Sequence, residues 1–460
     1  FIGAAVAIIS GHSVCRKGPH VYLGSAAASL LGQRLVLPNN SIRTLVGCGT
    51  AAGIAASFNT PLAGVVFALE VVMMEYTIAS FIPVIIAASS ATLLSIAVFG
   101  AEPAFQMPDL PPFDLSEVPF LILLGLAAGM LSAMYVHLLQ QVALHSRGLA
   151  IWWRMLLAGA LMGLIALWVP QVMGIGYDSV DQMLLGQLGI VMLMVLILTK
   201  LVATGICVGL GVPGGMIGPA LFLGAGLGSL IAMLIDQSFS SINSPIGFYA
   251  VLGMGAVMGA SLQAPLAALT AMVELTHTAE IVMPGMLVIV IAVLLVSQVF
   301  GKESLFLAML SSNGMHYDNS PLAQALRRIG VGRVMTRNFV RVDSTISRQL
   351  AERILEEQTE WLIIDAEGVP DQLMHVTELG KHLRSLVGDQ SQLDLLMMPA
   401  RRLQLARISI QANLLQAQQL LDQASVDALY VCEHQQGSAG KIYGLLTEQD
   451  VESAYRLRCS

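Results

Sequence analysis

The sequence predicts an all-α polytopic membrane domain followed by a small α/β domain. Of its 460 residues, 55% are hydrophobic and only 12% are charged, whereas about a quarter of the residues in a soluble globular protein carry a charge. The charges are also unevenly placed, since 20 of the first 310 residues are charged against 33 of the last 150. The first two thirds are therefore predicted to lie in a membrane and the last third in water.

Six apolar stretches are long enough to cross a bilayer, which takes about 20 residues in a helix. Three further stretches, near 18–32, 44–74 and 247–275, are rich in Gly and Ala and are interrupted by Pro, as expected where a segment packs against protein or lines a cavity at membrane depth. The chain begins inside an apolar run without Met, so we expect that an N-terminal portion precedes it. The six spans lie near 79–99, 118–143, 151–171, 188–211, 219–235 and 281–300.

An internal repeat is the most informative feature of the apolar part. The pattern GP, LG, SL at 18–30 recurs at 218–230, an offset of 200, and the run from Gly49 to Glu70 recurs from Gly253 to Glu274, an offset of 204. Duplicated halves with helices broken by Gly and Pro are typical of transporters and channels that bind their ion between the repeats. The alternative is a pair of similar small-residue packing helices.

The soluble third is also duplicated. VGRVMTRNFVRVDSTISRQLAERIL followed by WLIID predicts strand, helix and strand, and LDLLMMPARRLQLARISIQANLLQAQQLL followed by ALYV and IYGLLTEQD repeats that order. An α/β pair packed on itself is the expected result. The predicted domains are 1–312 in the membrane, a linker over 313–330, and an α/β pair over 331–460 with halves at about 331–388 and 393–457.

Two short segments at matching repeat positions are suited to binding an anion. In each, glycines lead into a proline and an apolar helical run, which favours a helix start with exposed backbone N–H groups. A helix N-terminus carries about half a positive charge and free donors, so it attracts anions. The alternative is that such strings only break helices. The candidate residues of the anion path are Arg16, Lys17, Gly18, Pro19, Gly215, Met216, Ile217, Gly218 and Pro219.

The stretches GHSVCRKGPHVYLG, GTAAGIAASFNTPLAGVVFALE, GVPGGMIGPALFLG and VELT resemble, in order and spacing, the CLC family of chloride channels and proton-coupled chloride antiporters. The soluble third is similar to the tandem CBS domains that many CLC proteins carry. The resemblance implies a homodimer with one chloride pore per subunit, each subunit being two inverted repeats of tilted and broken helices. It also implies a multi-pass protein of the cell membrane, the inner membrane in a bacterium, with its C-terminal domain in the cytoplasm.

The resemblance implies four pore-lining segments, and the first two depart from the family pattern. A GSGIP-type segment, whose serine touches the anion, would lie upstream of Phe1. The segment G(K/R)EGP matches Cys15–Pro19, with Cys15 in place of the first glycine and Lys17 in place of the gating glutamate. Lys17 therefore stands at the position of the gate.

The other two segments and the proton path depart as well. The segment GxFxP matches Gly215–Pro219 with Ile217 in place of phenylalanine, and the tyrosine whose hydroxyl touches the anion falls on Phe306. The inner glutamate of the antiporters' proton path falls on Val71. The two carboxylates that relay protons in the family are thus both replaced in this chain.

These replacements bear on mechanism. In the family the gating carboxylate competes with anions and moves aside when protonated, which Lys17 cannot do. An ammonium at roughly 4 Å from an anion attracts it by about 4 kcal/mol at an effective dielectric near 20. With Lys17 and Val71 at the two relay positions, the residues favour passive chloride conduction. The alternatives are proton-coupled chloride antiport and a non-conducting family member in which Cys15 and Lys17 mark a disabled copy.

The remaining ionisable residues of the membrane part are interpreted as structural. Glu70 and Glu274 lie at equivalent repeat positions at helix ends, where hydrogen bonding is favoured over transport. His12, His20 and His277 have no ligand partner three or four residues away, and the cysteines form no CxxC pair, so we predict neither a metal site nor a catalytic residue.

In the soluble third, the segment GLLTEQD resembles the one whose Thr and Asp contact ribose in CBS domains that bind adenine nucleotides. The matching residues are Thr447 and Asp450, while the first copy has Gly380 where the Asp would be. At most one adenine nucleotide site is therefore implied. The alternative is a purely structural dimerisation module.

Other functional classes fit poorly. An intramembrane metalloprotease needs HExxH on a helix, and this string does not occur. A divalent-cation transporter needs clustered carboxylates, whereas the predicted anion path offers glycines, Arg16 and Lys17. A net charge of −7 without a basic stripe disfavours nucleic acid. The predicted partners are chloride, the lipid bilayer and a second copy of the chain, and no cofactor beyond the possible nucleotide is expected.

Overall fold

The computed structural model describes residues 1–100, 105, 115–238, 245–315, 317, 320–366, 369–385, 392–433 and 441–459. The chain divides into two compact units. The membrane unit comprises 1–31 and 43–317, and the C-terminal unit comprises 32–42 and 318–460. Part of the predicted linker over 313–330 lies outside the described residues.

Fourteen helices make up the membrane unit over its described residues, with 3-10 turns at Leu115–Glu117 and Pro170–Val172 and π-helical turns at Ala68–Met73 and Leu295–Val299. Six of the apolar segments are long enough to cross a membrane, and their ends lie within three residues of the six predicted spans. The helices are α1 Ile2–Ile9, α2 Lys17–Arg34, α3 Asn39–Phe58, α4 Pro61–Phe67, α5 Ile78–Phe99, α6 Val118–Ser146, α7 Ile151–Trp168, α8 Tyr177–Leu184, α9 Ile190–Gly209, α10 Ile217–Ser238, α11 Ile246–Leu262, α12 Pro265–Thr276, α13 Val282–Leu294 and α14 Leu305–Ser312.

The predicted repeat is visible in the backbone. Pro61 and Pro265 each stand at the start of a helix, where the missing N–H costs nothing. The turns that precede them are alike, since Asn59 and Gln263 both adopt left-handed backbone with φ of +57° and +54°. The same succession of long helix, left-handed turn, proline and short helix therefore occurs twice, 204 residues apart.

Close helix contacts also recur in the two halves. A Cβ on Gly24 in α2 would lie 2.2 Å from the carbonyl oxygen of Gly49 in α3. At the equivalent positions, a Cβ on Gly224 in α10 would lie 2.3 Å from the carbonyl oxygen of Gly253 in α11. Backbones this close need glycine, because any side chain would separate them. The same helix contact therefore explains the glycines at these positions in both halves.

The short helices α4 and α12 run antiparallel, and each supplies the acid that caps the other. The carboxylate of Glu70 accepts hydrogen bonds from the N–H groups of Leu266 and Ala267, at 3.2 and 2.7 Å. The carboxylate of Glu274 accepts from the N–H groups of Leu62 and Ala63, at 2.8 and 2.7 Å. Both glutamates therefore hold helix N-termini, as the interpretation of them as structural hydrogen-bonding residues requires.

The C-terminal unit is a small α/β structure that repeats one motif. Strands β1, β3 and β4 form half of a six-stranded sheet and β6, β7 and β8 the other half, in the order β1-β3-β4-β6-β7-β8. Each half has one parallel and one antiparallel pairing, and β4 joins β6 antiparallel. The elements are α15 Pro321–Arg327, α16 Val331–Val334, β1 Phe339–Asp343, β2 Thr345–Ser347, α17 Arg348–Glu356, β3 Trp361–Ala366, β4 Val369–His375, α18 Val376–Ser385, β5 Gln392–Asp394, β6 Arg402–Ser409, α19 Leu414–Ala424, β7 Ala428–Cys432, β8 Ile442–Thr447 and α20 Glu448–Cys459.

A pair of arginine contacts marks equivalent points of the two halves. Arg341 on β1 binds the carboxylate of Asp365 on β3, with Nε at 2.9 and 2.8 Å from its two oxygens. Arg407 on β6 directs its Nε to the thiol of Cys432 on β7, at 2.9 Å. The hydrogen bond from Asp365 raises the pKa of Arg341 above its usual range, so this pair stays charged.

Candidate functional site

The two glycine-proline segments of the repeat are joined to each other by their backbones. The N–H of Cys15 donates to the carbonyl of Gly215 at 3.0 Å, and the N–H of Gly215 donates to the carbonyl of Cys15 at 2.8 Å. Helices α2 and α10 begin two residues later, at Lys17 and Ile217. The structure therefore brings together the two helix N-termini that the sequence places at matching repeat positions.

Glycine makes this approach possible. A Cβ on Gly18 would lie 2.6 Å from the Cα of Gly215, and a Cβ on Gly218 would lie 2.6 Å from the Cβ of Cys15. Neither neighbour is the end of a flexible side chain, so substitution would push the two segments apart. The first N–H groups of both helices consequently sit side by side, where their partial positive charges add.

The side chain of Cys15 accepts a hydrogen bond from one of these N–H groups. Its thiol is fully buried and accepts a hydrogen bond from the N–H of Gly218 at 3.3 Å. In the same segment, the hydroxyl of Tyr135 on α6 donates to the carbonyl of Met216 at 3.2 Å. The start of α10 therefore offers fewer free N–H groups than one preceded by glycine.

Lys17 lies buried beside α3. Its side chain is 1% exposed, its ammonium donates to the backbone carbonyl of Ser57, and Nζ lies 3.7 Å from the centroid of the Phe58 ring. A carbonyl oxygen and an aromatic face both favour a cation. The ammonium is therefore held within the site, at the position where the family resemblance puts the gate.

An apolar cavity lies beside the two phenylalanine rings that contact Lys17 and Phe306, which are Phe58 and Phe67. Phe58, Phe67 and Ile217 are among the residues that line it. Phe306 packs edge to face on Phe67 with ring centroids 6.3 Å apart, so it reaches the cavity wall from behind. Phe67 and Phe306 have no hydroxyl to offer an anion, and the cavity is lined by apolar side chains apart from Thr60.

Val71 lies in the apolar core of the membrane unit. It falls in the π-helical turn Ala68–Met73 that continues α4, and it is 8% exposed within the apolar core. The preceding Glu70 has both carboxylate oxygens bonded to α12. Position 71 thus has no titratable carboxylate, and the carboxylate of the adjacent Glu70 is engaged in hydrogen bonds to α12.

Sequence reasoning missed the residues that hold Lys17. Ser57 and Phe58 are 40 and 41 positions away, at the end of α3. They lie within the stretch GTAAGIAASFNTPLAGVVFALE, but nothing in it pairs them with Lys17. His20 was interpreted as isolated, yet its Nδ1 lies 2.6 Å from the hydroxyl of Ser57. A signal for Tyr135 was available, because a tyrosine in the middle of an apolar span needs a partner for its hydroxyl.

The predicted nucleotide residues lie at the start of α20. Asp450 accepts from the N–H and the hydroxyl of Thr447, both at 2.8 Å, which makes the pair a helix cap. Across the described ranges, no three His, Cys, Asp or Glu side chains are grouped closely enough to hold a metal ion.

Comparison with known proteins gives the family. Residues 1–297 match the family model described as voltage gated chloride channel. The chain is 28% identical over 322 residues to the H(+)/Cl(-) exchange transporter ClcA of Vibrio cholerae, a match that covers 67% of this chain and 68% of that protein. It is 34% identical over 286 residues to the putative chloride channel protein ClcB-like of Ralstonia nicotianae, which covers 61% of this chain and 67% of that protein.

Solved structures have the same fold. A slow cyanobacterial Cl-/H+ antiporter matches with a TM-score of 0.62 and 22% identity over 67% of this chain and 74% of that one. A eukaryotic CLC transporter matches with a TM-score of 0.58 and 19% identity over 96% of this chain and 77% of that one. With the family model covering well over half of its length, the chain belongs to the voltage gated chloride channel (CLC) family, whose members are transporters or channels and not enzymes.

Proposed function

We propose that this chain conducts chloride passively across a bilayer, without exchanging it for protons. The proposal rests on the residues at positions 17 and 71, where the family resemblance places two proton-relaying glutamates. Lys17 is a buried amine and Val71 a buried hydrocarbon, so neither position holds the carboxylate that relays protons in the family. The neighbouring Glu70 cannot take over without giving up its bonds to Leu266 and Ala267.

The contacts of Lys17 support an open anion path rather than one that a gating carboxylate closes. Its ammonium is held against Ser57 and Phe58 of α3. Position 17 itself therefore carries no carboxylate to compete with chloride for the N–H groups at the start of α2. The cation beside these groups attracts the anion, and the apolar cavity behind it limits how tightly the anion is held.

A specific observation favours the second candidate, proton-coupled antiport. The Vibrio cholerae relative is named an H(+)/Cl(-) exchange transporter. A third candidate is a disabled transporter, since Lys17 and Cys15 both depart from the family motif. The three differ in what accompanies chloride, which is the quantity to measure.

The test is chloride efflux from liposomes that contain the full chain, with external pH followed at the same time. Passive conduction gives chloride flux without uphill proton movement. Proton uptake driven by a chloride gradient contradicts the proposal. Absence of flux in the wild type, with flux appearing in Lys17→Glu and not in Lys302→Glu, contradicts it in favour of the disabled copy. Lys302 is the matched control because it is a lysine of the same unit that contacts His137 near the surface.

We also propose how the protein is placed and assembled. Six apolar helices make it a multi-pass membrane protein. A homodimer in a bacterial inner membrane, with the C-terminal unit in the cytoplasm, follows by analogy with the family. Cross-linking in membranes and protease protection of inverted vesicles test these two points.

The C-terminal unit is proposed to be a tandem CBS pair that binds one adenine nucleotide. Its duplicated half-sheets support the pairing, and the Thr447–Asp450 cap supplies a hydroxyl and a carboxylate at one helix start. Titration of the full chain with ATP, compared with Asp450→Ala, tests it. Equal binding by both proteins contradicts the site.

A further inference from the structure

Ser57 links Lys17 to a second titratable residue, His20. The carbonyl of Ser57 accepts from the Lys17 ammonium, and its hydroxyl lies 2.6 Å from Nδ1 of His20. His20 stands one helical turn after Lys17 on α2, so both side chains meet the end of α3. A change of charge on His20 therefore occurs next to the residue at the gate position.

The hydrogen bonds of Ser57 define which nitrogen of His20 takes up a proton. The Ser57 hydroxyl donates to the carbonyl of Gly53 at 2.7 Å, so its only proton is used. Nδ1 of His20 must then donate to the Ser57 oxygen, and Nε2 is the nitrogen that is bare in the neutral ring. Protonation at Nε2 leaves the bond to Ser57 intact and adds one positive charge.

His20 faces an open cleft of about 940 Å³. Arg16, Ser57 and Phe58 line the same cleft. Since Ser57 and Phe58 also contact Lys17 on their buried side, the cleft ends at the residues that hold the ammonium. His20 therefore lies between this cleft and the residues that hold Lys17.

Among the residues that the structure describes, the charged groups that face His20 are Arg16 and Lys17, both on its own segment. From the N-terminal side of α1, Phe1 stacks its ring on the imidazole with centroids 6.3 Å apart. The last turn of α3 and the α5 residues of the cleft wall bring no titratable side chain. Among the described residues, the groups at this cleft that can change charge are therefore His20 and, behind Ser57, the buried amine of Lys17.

We propose that His20 makes anion entry dependent on acid. Histidine changes its charge between about pH 5 and pH 8. Below that range a third positive charge joins Arg16 and Lys17 at the cleft, and the local concentration of small inorganic anions rises. Anion flux accordingly increases as the pH falls. The inference rests on the proposed function, because it treats the cleft as the anion entrance.

The experiment compares chloride flux into liposomes at pH values across that range for wild type, His20→Asn and His20→Arg. Asparagine keeps a donor for Ser57 but does not titrate, so its flux is expected to stay at the alkaline level of the wild type. Arginine keeps the positive charge at every pH, so its flux stays at the acid level. His145→Asn, on the last turn of α6, is the control and keeps the several-fold acid stimulation of the wild type.

An unchanged pH profile in His20→Asn overturns the inference while chloride transport itself stands. If the wild type carries no chloride, the proposed function fails, and calorimetric titration of chloride into the solubilised chain decides the rest. Chloride binding that is several-fold tighter in acid for wild type and not for His20→Asn supports the role of His20. Binding that is equal in the two proteins, or absent in both, overturns it.

Discussion

Glu70 and Glu274 each hold the first turn of the helix that carries the other. Because α4 and α12 are antiparallel and their glutamates lie nine residues after the first proline of each helix, both carboxylates reach two backbone N–H groups. Each bond is assisted by the negative charge of the acid and by the dipole of the helix that it caps. The two halves of the membrane unit are therefore stabilised by one reciprocal contact.

We expect Glu274→Ala to lower the free energy of unfolding by about 2 kcal/mol, because the N–H groups of Leu62 and Ala63 lose their acceptor. Glu274→Gln should cost less, since its amide oxygen can still accept one of the two bonds. Thermal unfolding in detergent measures both. Glu280→Ala, at an exposed turn, is the control, and an equal loss in Glu274→Ala and Glu280→Ala would contradict the reciprocal cap.

The contact between the two glycine-proline segments predicts a steric effect. A methyl group at position 18 has no space beside the Cα of Gly215, at 2.6 Å, and overpacking of this kind costs about 1–3 kcal/mol. Gly18→Ala should therefore reduce both the melting temperature and the chloride flux. Gly163→Ala in α7 meets open space and should leave both unchanged. A fully active Gly18→Ala would show that the segments need not touch.

The thiol of Cys15 predicts a change in anion affinity. Cys15→Gly frees the N–H of Gly218, so the concentration of chloride that half-saturates flux should fall several-fold. Cys15→Ser keeps an acceptor at the same place and should change it less. Cys48→Ser, on α3 outside the contact, is the matched control. The interpretation fails if Cys15→Gly and Cys15→Ser have the same half-saturation as wild type.

Restoring both carboxylates should restore coupling. We expect proton movement driven by chloride only in the double variant Lys17→Glu with Val71→Glu, since each single variant leaves one step of the relay without a titratable group. Simultaneous recording of chloride and pH in liposomes checks this. Coupled proton movement in Lys17→Glu alone would mean that a group other than residue 71 passes the proton inward.

In the C-terminal unit, Cys432 is 3% exposed and contacts Arg407, just as Asp365 contacts Arg341 in the other half. We therefore expect Cys432→Asp to be tolerated, because Arg407 can pair with the new carboxylate. Asp365→Ala should lower stability by about 1–3 kcal/mol, less than for a fully buried pair, because Arg341 is partly exposed. Glu352→Ala, in an exposed pair with Arg348, should cost under about 0.5 kcal/mol. A Cys432→Asp protein as unstable as Asp365→Ala would refute the equivalence.

Much of the membrane fold could be predicted from residues because the signals are local. Apolar length places the six spans, and Pro61 and Pro265 mark helix starts through their missing N–H groups. The repeat at offsets near 200 predicts which segments correspond. The glycines at 18 and 218 indicate tight backbone geometry at the two helix starts. The structure shows that the residues in contact there are Cys15 and Gly215.

The rest of the site depends on contacts between distant residues. The carbonyl of Ser57 that binds Lys17 is a backbone group, which every residue possesses, so no side-chain pattern reveals it. The bond between His20 and Ser57 joins two side chains 37 positions apart, which helical spacing along the sequence does not reveal. Arg407 and Cys432 form no recognisable pair until β6 and β7 are aligned with β1 and β3.

The backbone bridge between Cys15 and Gly215 also has a consequence for the order of synthesis. Its two partners are 200 positions apart, so at about 5–20 residues per second the first must wait roughly 10 to 40 seconds for the second to be made. During that interval the start of α2, with the charge of Lys17, is already committed to the membrane without its neighbour. The nascent first half therefore depends on the insertion machinery until the second half arrives to complete it.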